Sequence, residues 1–302
     1  MNSPATTYTN TRTAAGAPRL RDFFELTKPR LSMMSVATAV LAYFAAGPEN
    51  HLPTLLGLIA GTTFAAFGAA ALNQWWEREA DARMQRTATR PLASGKLTPA
   101  AALFFGLGIS ALGVGLLWEM TGLWPALLAA LTILLYVLAY TPLKMKTPLA
   151  TEIGAIPGAL PPLIGWTAAG AGFSGMGWAL FAVLFAWQIP HFMAISWNLR
   201  EDYRKAGFQM LAIRDASGQK VAWSALIWSI VLVAVSLYPI TLPSVGWFLG
   251  VTATLLGATM LIPSVQFVRG AQRNLAARRL FFATLTYLPL YLVALIVDQF
   301  LI

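Results

Sequence analysis

The strongest constraint on this chain is a succession of nine mainly apolar stretches, each near the roughly 20 residues a helix needs to cross a hydrocarbon core of about 30 Å. They run approximately over 29–47, 54–76, 98–118, 122–141, 149–169, 177–198, 220–240, 244–266 and 280–300. Inside lipid every backbone N–H and C=O must be paired within the protein, so apolar runs of this length predict an all-α helical bundle. The ten-residue alternation of an outer-membrane barrel is absent. Nine helices and their short links consume almost all of the 302 residues. The expectation is a single nine-helix membrane domain over 28–302, preceded by a disordered or interfacial segment over 1–27.

Only 11% of the residues are charged and 57% are hydrophobic, against about 25% charged in a soluble globular chain, which excludes an ordinary soluble enzyme. With no cysteine, disulfides, thiolate metal sites and a cysteine nucleophile are excluded, and a metal must be held by oxygen or by His51 or His191. A formal net charge of +9 suits nucleic acid, an anionic membrane surface or an acidic substrate equally well. Placement decides between them. The basic residues fall in alternate links: Arg12, Arg19, Arg21, Lys28 and Arg30 at the start; Arg78, Arg83, Arg86, Arg90 and Lys96 after the second run; Lys144 and Lys146 after the fourth; Arg200, Arg204, Lys205, Arg214 and Lys220 after the sixth; Arg269, Arg273, Arg278 and Arg279 after the eighth. Together these are all 21 Lys and Arg. Basic residues mark cytoplasmic links, so nine spans with a cytoplasmic N-terminus and an external C-terminus are expected, and no nucleic-acid partner. The first 20 residues lack the apolar core of a signal peptide. They point to a multi-pass protein of a bacterial inner membrane, or of the mitochondrial inner membrane in a eukaryote.

The fifth run, "LATEIGAIPGALPPLIGWTAAG", carries Pro157, Pro161 and Pro162 among glycines. Each proline removes a donor and crowds the preceding turn, which predicts a kinked or partly unwound helix lining a cavity. A close-packed crossing through small residues is the alternative.

The most informative stretch follows the second run, "LNQWWEREADARMQRTATRPLASGKLTP". Asn73, Glu77 and Asp81 are four apart, so on a continuing helix they drift only about 40° per step and share one face. Three oxygen side chains with Arg83, Arg86 and Arg90 behind them suit a magnesium ion bridging a polyphosphate; a solvated, salt-bridged link is the plain alternative. A second copy closes the sixth run in "HFMAISWNLREDYRKAGFQML", where Asn198 and Asp202 repeat the step beside Glu201, Arg200, Arg204 and Lys205. Between the copies, "AYTPLKMKTP" sets Tyr140 four residues before Lys144, a pair able to bind diphosphate oxygens or protonate a leaving group, or simply to anchor the interface. His191 in "WQIPHF" precedes Asn198 by seven residues, about 10 Å deeper on the same stripe. It is either a heme iron ligand or a histidine satisfied by its neighbours. His51, beside Pro53, reads as surface.

These motifs resemble the UbiA superfamily of intramembrane prenyltransferases, whose signature is an Asn-Asp-Asp motif of four-residue steps after helix two and a second acidic motif after helix six. The strings "NQWWEREADARMQRTATRP", "YTPLKMKTP", "GAIPGALPPLIGWTAAG", "WQIPHF" and "EDYRKAGFQML", in order from about Lys28 to the last helix, are most similar to the branch that farnesylates heme. Glu77 stands where the superfamily usually has Asp, and Asn198 where the second motif often opens with Asp; both keep an oxygen ligand. The resemblance implies nine helices around a central cavity capped by the two motif-bearing links, and Mg2+ held by Asn73, Glu77, Asp81, Asn198 and Asp202. Arg83, Arg86, Arg90, Lys144 and Lys146 would take the diphosphate, and His191 is the candidate for heme. It further implies farnesyl diphosphate and heme B as substrates, heme B being no cofactor, with heme A synthase or oxidase assembly proteins as partners. An aromatic acceptor such as 4-hydroxybenzoate, a membrane transporter and a non-catalytic assembly factor remain alternatives at this level.

Overall fold

The computed structural model describes residues 19–48, 52–242 and 245–301, and regular structure among them is helical throughout. A short helix, α1 (Leu20–Leu26), precedes α2 (Pro29–Ala45), α3 (Leu52–Asp81), α4 (Pro99–Thr121) and α5 (Leu123–Leu134). The fifth helix continues through a π-helical turn, Leu135–Tyr140, into α6 (Thr141–Leu143). Then come α7 (Ala150–Ala168), α8 (Gly175–Asn198), the short α9 (Arg200–Ala206) and α10 (Leu211–Arg214), α11 (Gln219–Leu237), α12 (Trp247–Arg269) and α13 (Arg273–Gln299). Each apolar run of the sequence is therefore a helix. Among the described residues seven are long and apolar enough to cross a membrane: α3, α4, α5 with its extension to Leu143, α8, α11 with its extension to Thr241, α12 and α13. Of the other two, α2 has 17 residues and α7 has 19 with three internal prolines.

Neighbours in sequence pack as neighbours in space from α2 to α5 and from α11 to α13. The helix α7 joins these groups, packing on α2, α5 and α8, and α13 returns onto α2 and α8. One apolar core lies among α2, α3, α4, α5 and α7 around Leu58, Leu117 and Leu163; the other, around Leu180, Leu232, Leu249 and Tyr287, is built by α8 and α11–α13. Side chains such as Phe104 on α4, Leu255 and Ile262 on α12 and Phe282 on α13 are left exposed, as expected of surfaces that face lipid. Trp118, Trp124, Trp178, Trp247 and Tyr238, all exposed, mark the ends of helices away from the two acidic motifs. Their clustering there matches an interfacial aromatic belt.

The unwinding expected of the proline-rich run does not occur: α7 is unbroken from Ala150 to Ala168. Burial explains it, since most of its residues, including all three prolines, are enclosed by protein. Small residues allow the approach, because a Cβ at Gly165 would collide with the Ala39 carbonyl of α2. Close crossings through small residues are a recurrent device of membrane bundles. A similar contact joins α3 to α4, where a Cβ on Gly113 would stand 2.7 Å from the Gly61 carbonyl oxygen.

Helix ends are closed by acids from elsewhere in the chain. Asp298, buried near the end of α13, accepts from the Gly246 N–H at 2.5 Å and the Leu249 N–H at 3.0 Å, capping α12. Asp215 does the same for α11, accepting from Ser217 Oγ at 2.8 Å and the Val221 N–H at 3.1 Å. Burial opposes the charge of Asp215, but the hydroxyl and backbone donors outweigh it and hold its carboxyl below the usual range. Replacing Asp298 with alanine should cost about 1–2 kcal/mol through the lost cap. Thermal unfolding in detergent should show a lower midpoint with unchanged helix content.

Candidate active site

The helix α3 continues to Asp81, so the four-residue steps place Asn73, Glu77 and Asp81 on its last turns, and all three are buried. Lys28 Nζ donates to Asn73 Oδ1 at 2.7 Å. Lys144 forms an ion pair with Glu77. Arg90 Nη1 contacts both carboxylate oxygens of Asp81 at 2.7 Å. Each oxygen side chain of the motif thus holds one cation of the same chain, as the buried carboxylates Glu77 and Asp81 require.

The cations arrive from three segments. Lys28 lies between α1 and α2, Arg90 in the link after α3, and Lys144 just beyond α6. The link is fixed by Thr87 Oγ1 donating to the Asp81 carbonyl at 2.8 Å and by Leu92 and Leu97, which are buried with Leu26, Ala71 and Ala102. Lys144 follows the π-helical turn, and its ammonium stands 4.5 Å from the Tyr140 ring centre and 5.7 Å from that of Phe208. Burial opposes its charge, yet the Glu77 carboxylate outweighs it and holds its pKa above the ordinary lysine value. At Lys28, burial and then the repulsion of Arg90 prevail, and its pKa is pushed down to about 7.

The second motif departs from the expected geometry. The helix α8 ends at Asn198, and Leu199 separates it from α9, so the step from Asn198 to Asp202 spans a helix break rather than a continuous turn. Asn198 is exposed and Asp202 half-buried. Among the described residues neither side chain makes a hydrogen bond or ion pair, and no three His, Asp or Glu side chains converge on one point. The two links do meet. Ala80 and Met84 pack against Ala206, Phe208 and Met210, and the Gln209 N–H donates to the Lys144 carbonyl at 2.8 Å. Tyr203 is half-buried in this contact, and burial pushes its phenol up, with Arg86, Lys144, Glu77 and Arg90 acting on it through their charges. Arg83, Arg86 and Lys146 are exposed at the rim.

A cavity of about 750 Å³ lies at the ends of α2 and α13 away from the motifs, lined by Tyr43, Phe44, Leu52, Leu55, Ile296 and Phe300. His51, Arg12 and the segment before residue 19 lie outside the described residues.

Residues 33–286 match the sequence profile of the UbiA prenyltransferase family. The chain belongs to this family. It is 45% identical over 287 residues to the protoheme IX farnesyltransferase of Opitutus terrae, covering 95% of this chain and 97% of the relative. To that of Solibacter usitatus it is 41% identical, over 93% of this chain and 99% of the relative. The fold is shared with a digeranylgeranylglyceryl phosphate synthase at TM-score 0.79 and 18% identity, covering 94% and 99% of the two chains. A UbiA homolog from Archaeoglobus fulgidus bound to DMAPP and Mg2+ superposes at TM-score 0.62 with 14% identity, covering 91% and 99%.

Within this UbiA member, His191 is half-buried between α8 and α13, stacked on Trp187 with ring centres 4.9 Å apart and near Phe281 at 5.3 Å. Its Nδ1 lies 2.8 Å from Thr284 Oγ1, which gives its only proton to the Phe281 carbonyl at 2.5 Å. With that bond made, Thr284 accepts from His191 Nδ1–H, and this neutral tautomer keeps the Nε2 lone pair. A hydrogen bond on the second ring nitrogen is the usual arrangement for a ligating histidine.

Sequence reasoning read Lys28 only as an orienting charge and missed Thr141, whose hydroxyl accepts from Asn73 Nδ2 at 3.1 Å and donates to the Tyr136 carbonyl at 2.7 Å. The quoted "YTPLK" string held a signal for Thr141; nothing local pointed to Lys28. Removing the guanidinium in Arg90→Ala strands the buried Asp81 and should destabilise the protein by about 3 kcal/mol. Unfolding measurements on Arg90→Ala combined with Asp81→Asn should recover most of that loss.

Proposed function

We propose that this protein transfers the farnesyl group of farnesyl diphosphate to a vinyl group of heme B, with addition of water, giving heme O and diphosphate. The reading rests on family membership, on identity of up to 45% to protoheme IX farnesyltransferases over nearly the whole chain, and on one observation. Three buried oxygen side chains at the end of α3 are ringed by Lys28, Arg90 and Lys144, a donor and cation set suited to a metal diphosphate.

The oxygen donors fit Mg2+, which binds through one or two carboxylates and completes its shell with water and substrate phosphate; Asn73, Glu77 and Asp81, with Asn198 and Asp202 from the second link, would hold it. When bound, the metal supplies positive charge to the departing diphosphate. Arg83, Arg86, Arg90, Lys144 and Lys146 neutralise the remaining phosphate oxygens, as cations placed where charge develops. Tyr140, against the Lys144 ammonium, keeps that charge at the mouth of the site. The allylic C–O bond breaks with its electron pair going to diphosphate. The vinyl π pair then forms the new C–C bond, and water takes the resulting cation on the porphyrin side chain, losing one proton. Apolar surroundings delay water until the C–C bond has formed. His191, through Nε2, is the residue for heme iron.

In the same reading residues 28–302 form one nine-helix domain, with α2 and α7 also spanning the bilayer of a bacterial inner membrane and the N-terminus on the cytoplasmic side. The basic links at the motif end support that orientation. Heme A synthase or oxidase assembly proteins are the expected neighbours in the membrane.

Purified protein given Mg2+, heme B and farnesyl diphosphate should yield heme O by mass spectrometry; unchanged heme together with prenylation of 4-hydroxybenzoate would instead assign the aromatic acceptor. Asp81→Ala and Asp202→Ala should lose turnover while still inserting into membranes. His191→Ala should weaken heme binding in a spectral titration, and an unaltered titration would return His191 to a packing role.

A further inference from the structure

The three cation–oxygen pairs at the end of α3 have a consequence for how the site is loaded. Asn73 Oδ1, Glu77 and Asp81 are the oxygens a metal would use, and each already carries an ammonium or guanidinium. A metal ion arriving alone must displace these cations, leaving Lys144 and the half-buried Arg90 without their carboxylates and Lys28 without its acceptor, which is costly. A diphosphate arriving with the metal offers the same cations new anionic oxygens.

Lys28 is the member of this set that stands out. It is the one non-glycine residue with positive φ among the described residues, at φ 46° and ψ 56°. The left-handed region costs an L-residue roughly 1–2 kcal/mol, and a residue before proline is further restricted. Such backbone persists where surrounding structure over-determines it, and it clusters at functional sites. The surroundings are visible here: Gln74, next to Asn73, donates to the Leu26 carbonyl at 2.7 Å, and Ser32 donates to the Thr27 carbonyl at 2.7 Å. Both bonds clamp the corner between α1 and α2 so that the Lys28 side chain is delivered to Asn73. On its other side, the Asn73 amide nitrogen is held by Thr141, so Asn73 Oδ1 stays directed at Lys28.

Building on the diphosphate site proposed above, we infer that Lys28 occupies the metal position of Asn73 in the free protein and moves onto the diphosphate when metal and diphosphate enter together. Lys28 is thus a loading residue. It weakens the binding of a bare divalent ion and strengthens the binding of the metal–diphosphate pair, with Lys144 acting in the same way at Glu77.

The test uses full-length protein in detergent, Mn2+ as the metal probe and inorganic pyrophosphate as the anion, with free Mn2+ read by electron paramagnetic resonance. Wild-type protein should bind Mn2+ weakly alone and at least about tenfold more tightly with pyrophosphate, the worth of one charge-assisted hydrogen bond. In Lys28→Met the two affinities should move in opposite directions: Mn2+ alone tighter, Mn2+ with pyrophosphate weaker, each by about tenfold. Lys28→Arg should restore the wild-type order. Weakening of both affinities in Lys28→Met, or a change in neither, overturns the inference. Should Lys28→Met fail to fold, Lys144→Met carries the same opposed prediction at Glu77. Wild-type protein that binds no Mn2+–pyrophosphate at all would instead overturn the diphosphate site itself.

Discussion

A carboxylate removed from water needs a cation within reach, and Glu77 and Asp81 are almost fully enclosed. That requirement organises the end of the bundle where the motifs lie. It draws Arg90 from the link after α3 and Lys144 from beyond α6 onto one helix end, where Lys28 from before α2 joins them through the Asn73 amide oxygen. The link after α3 must therefore fold back on itself, and the second link must cover the result through Phe208 and Met210. The same balance of charge that stabilises the free protein is the one a metal diphosphate would exchange with, so stability and substrate loading draw on the same side chains.

The bundle around this site obeys a different rule, the pairing of all backbone polar groups in the absence of water. It explains why helices dominate, why exposed apolar side chains such as Phe104 and Leu255 are tolerated, and why helix ends recruit acids from distant segments, as Asp298 does for α12. Proline in α7 is tolerated for a related reason. Neighbouring helices enclose it so closely that the lost backbone bonds are outweighed by packing, and the helix runs on where exposed sequence of this kind would open. The π-helical turn before Thr141 is the opposite case, a local irregularity beside the site, where such bulges are frequent. There the Thr141 hydroxyl bonds the Tyr136 carbonyl.

How far the site was legible follows from distance along the chain. Asn73, Glu77 and Asp81 could be grouped because the helix repeat alone puts residues four apart on one face. Their partners could not. Lys28 is 45 residues from Asn73, Thr141 is 68 residues from it, and His191 is 93 residues from Thr284. The step from Asn198 to Asp202 misled for the same reason in reverse: a four-residue spacing implies a shared face only if the helix continues, and at Leu199 it stops.

By itself the sequence determined the helical class, the places of the long helices, the segregation of basic residues into alternate links and the residue types of the candidate site. These depend on local hydrophobicity and on a fixed helical period, which act over a few turns. Tertiary structure alone decided which cation meets which oxygen, that α7 stays unbroken, that α8 ends before Asp202, and that His191 Nδ1 meets Thr284. Those outcomes depend on desolvation and on contacts between segments far apart in the chain, and no local pattern encodes them.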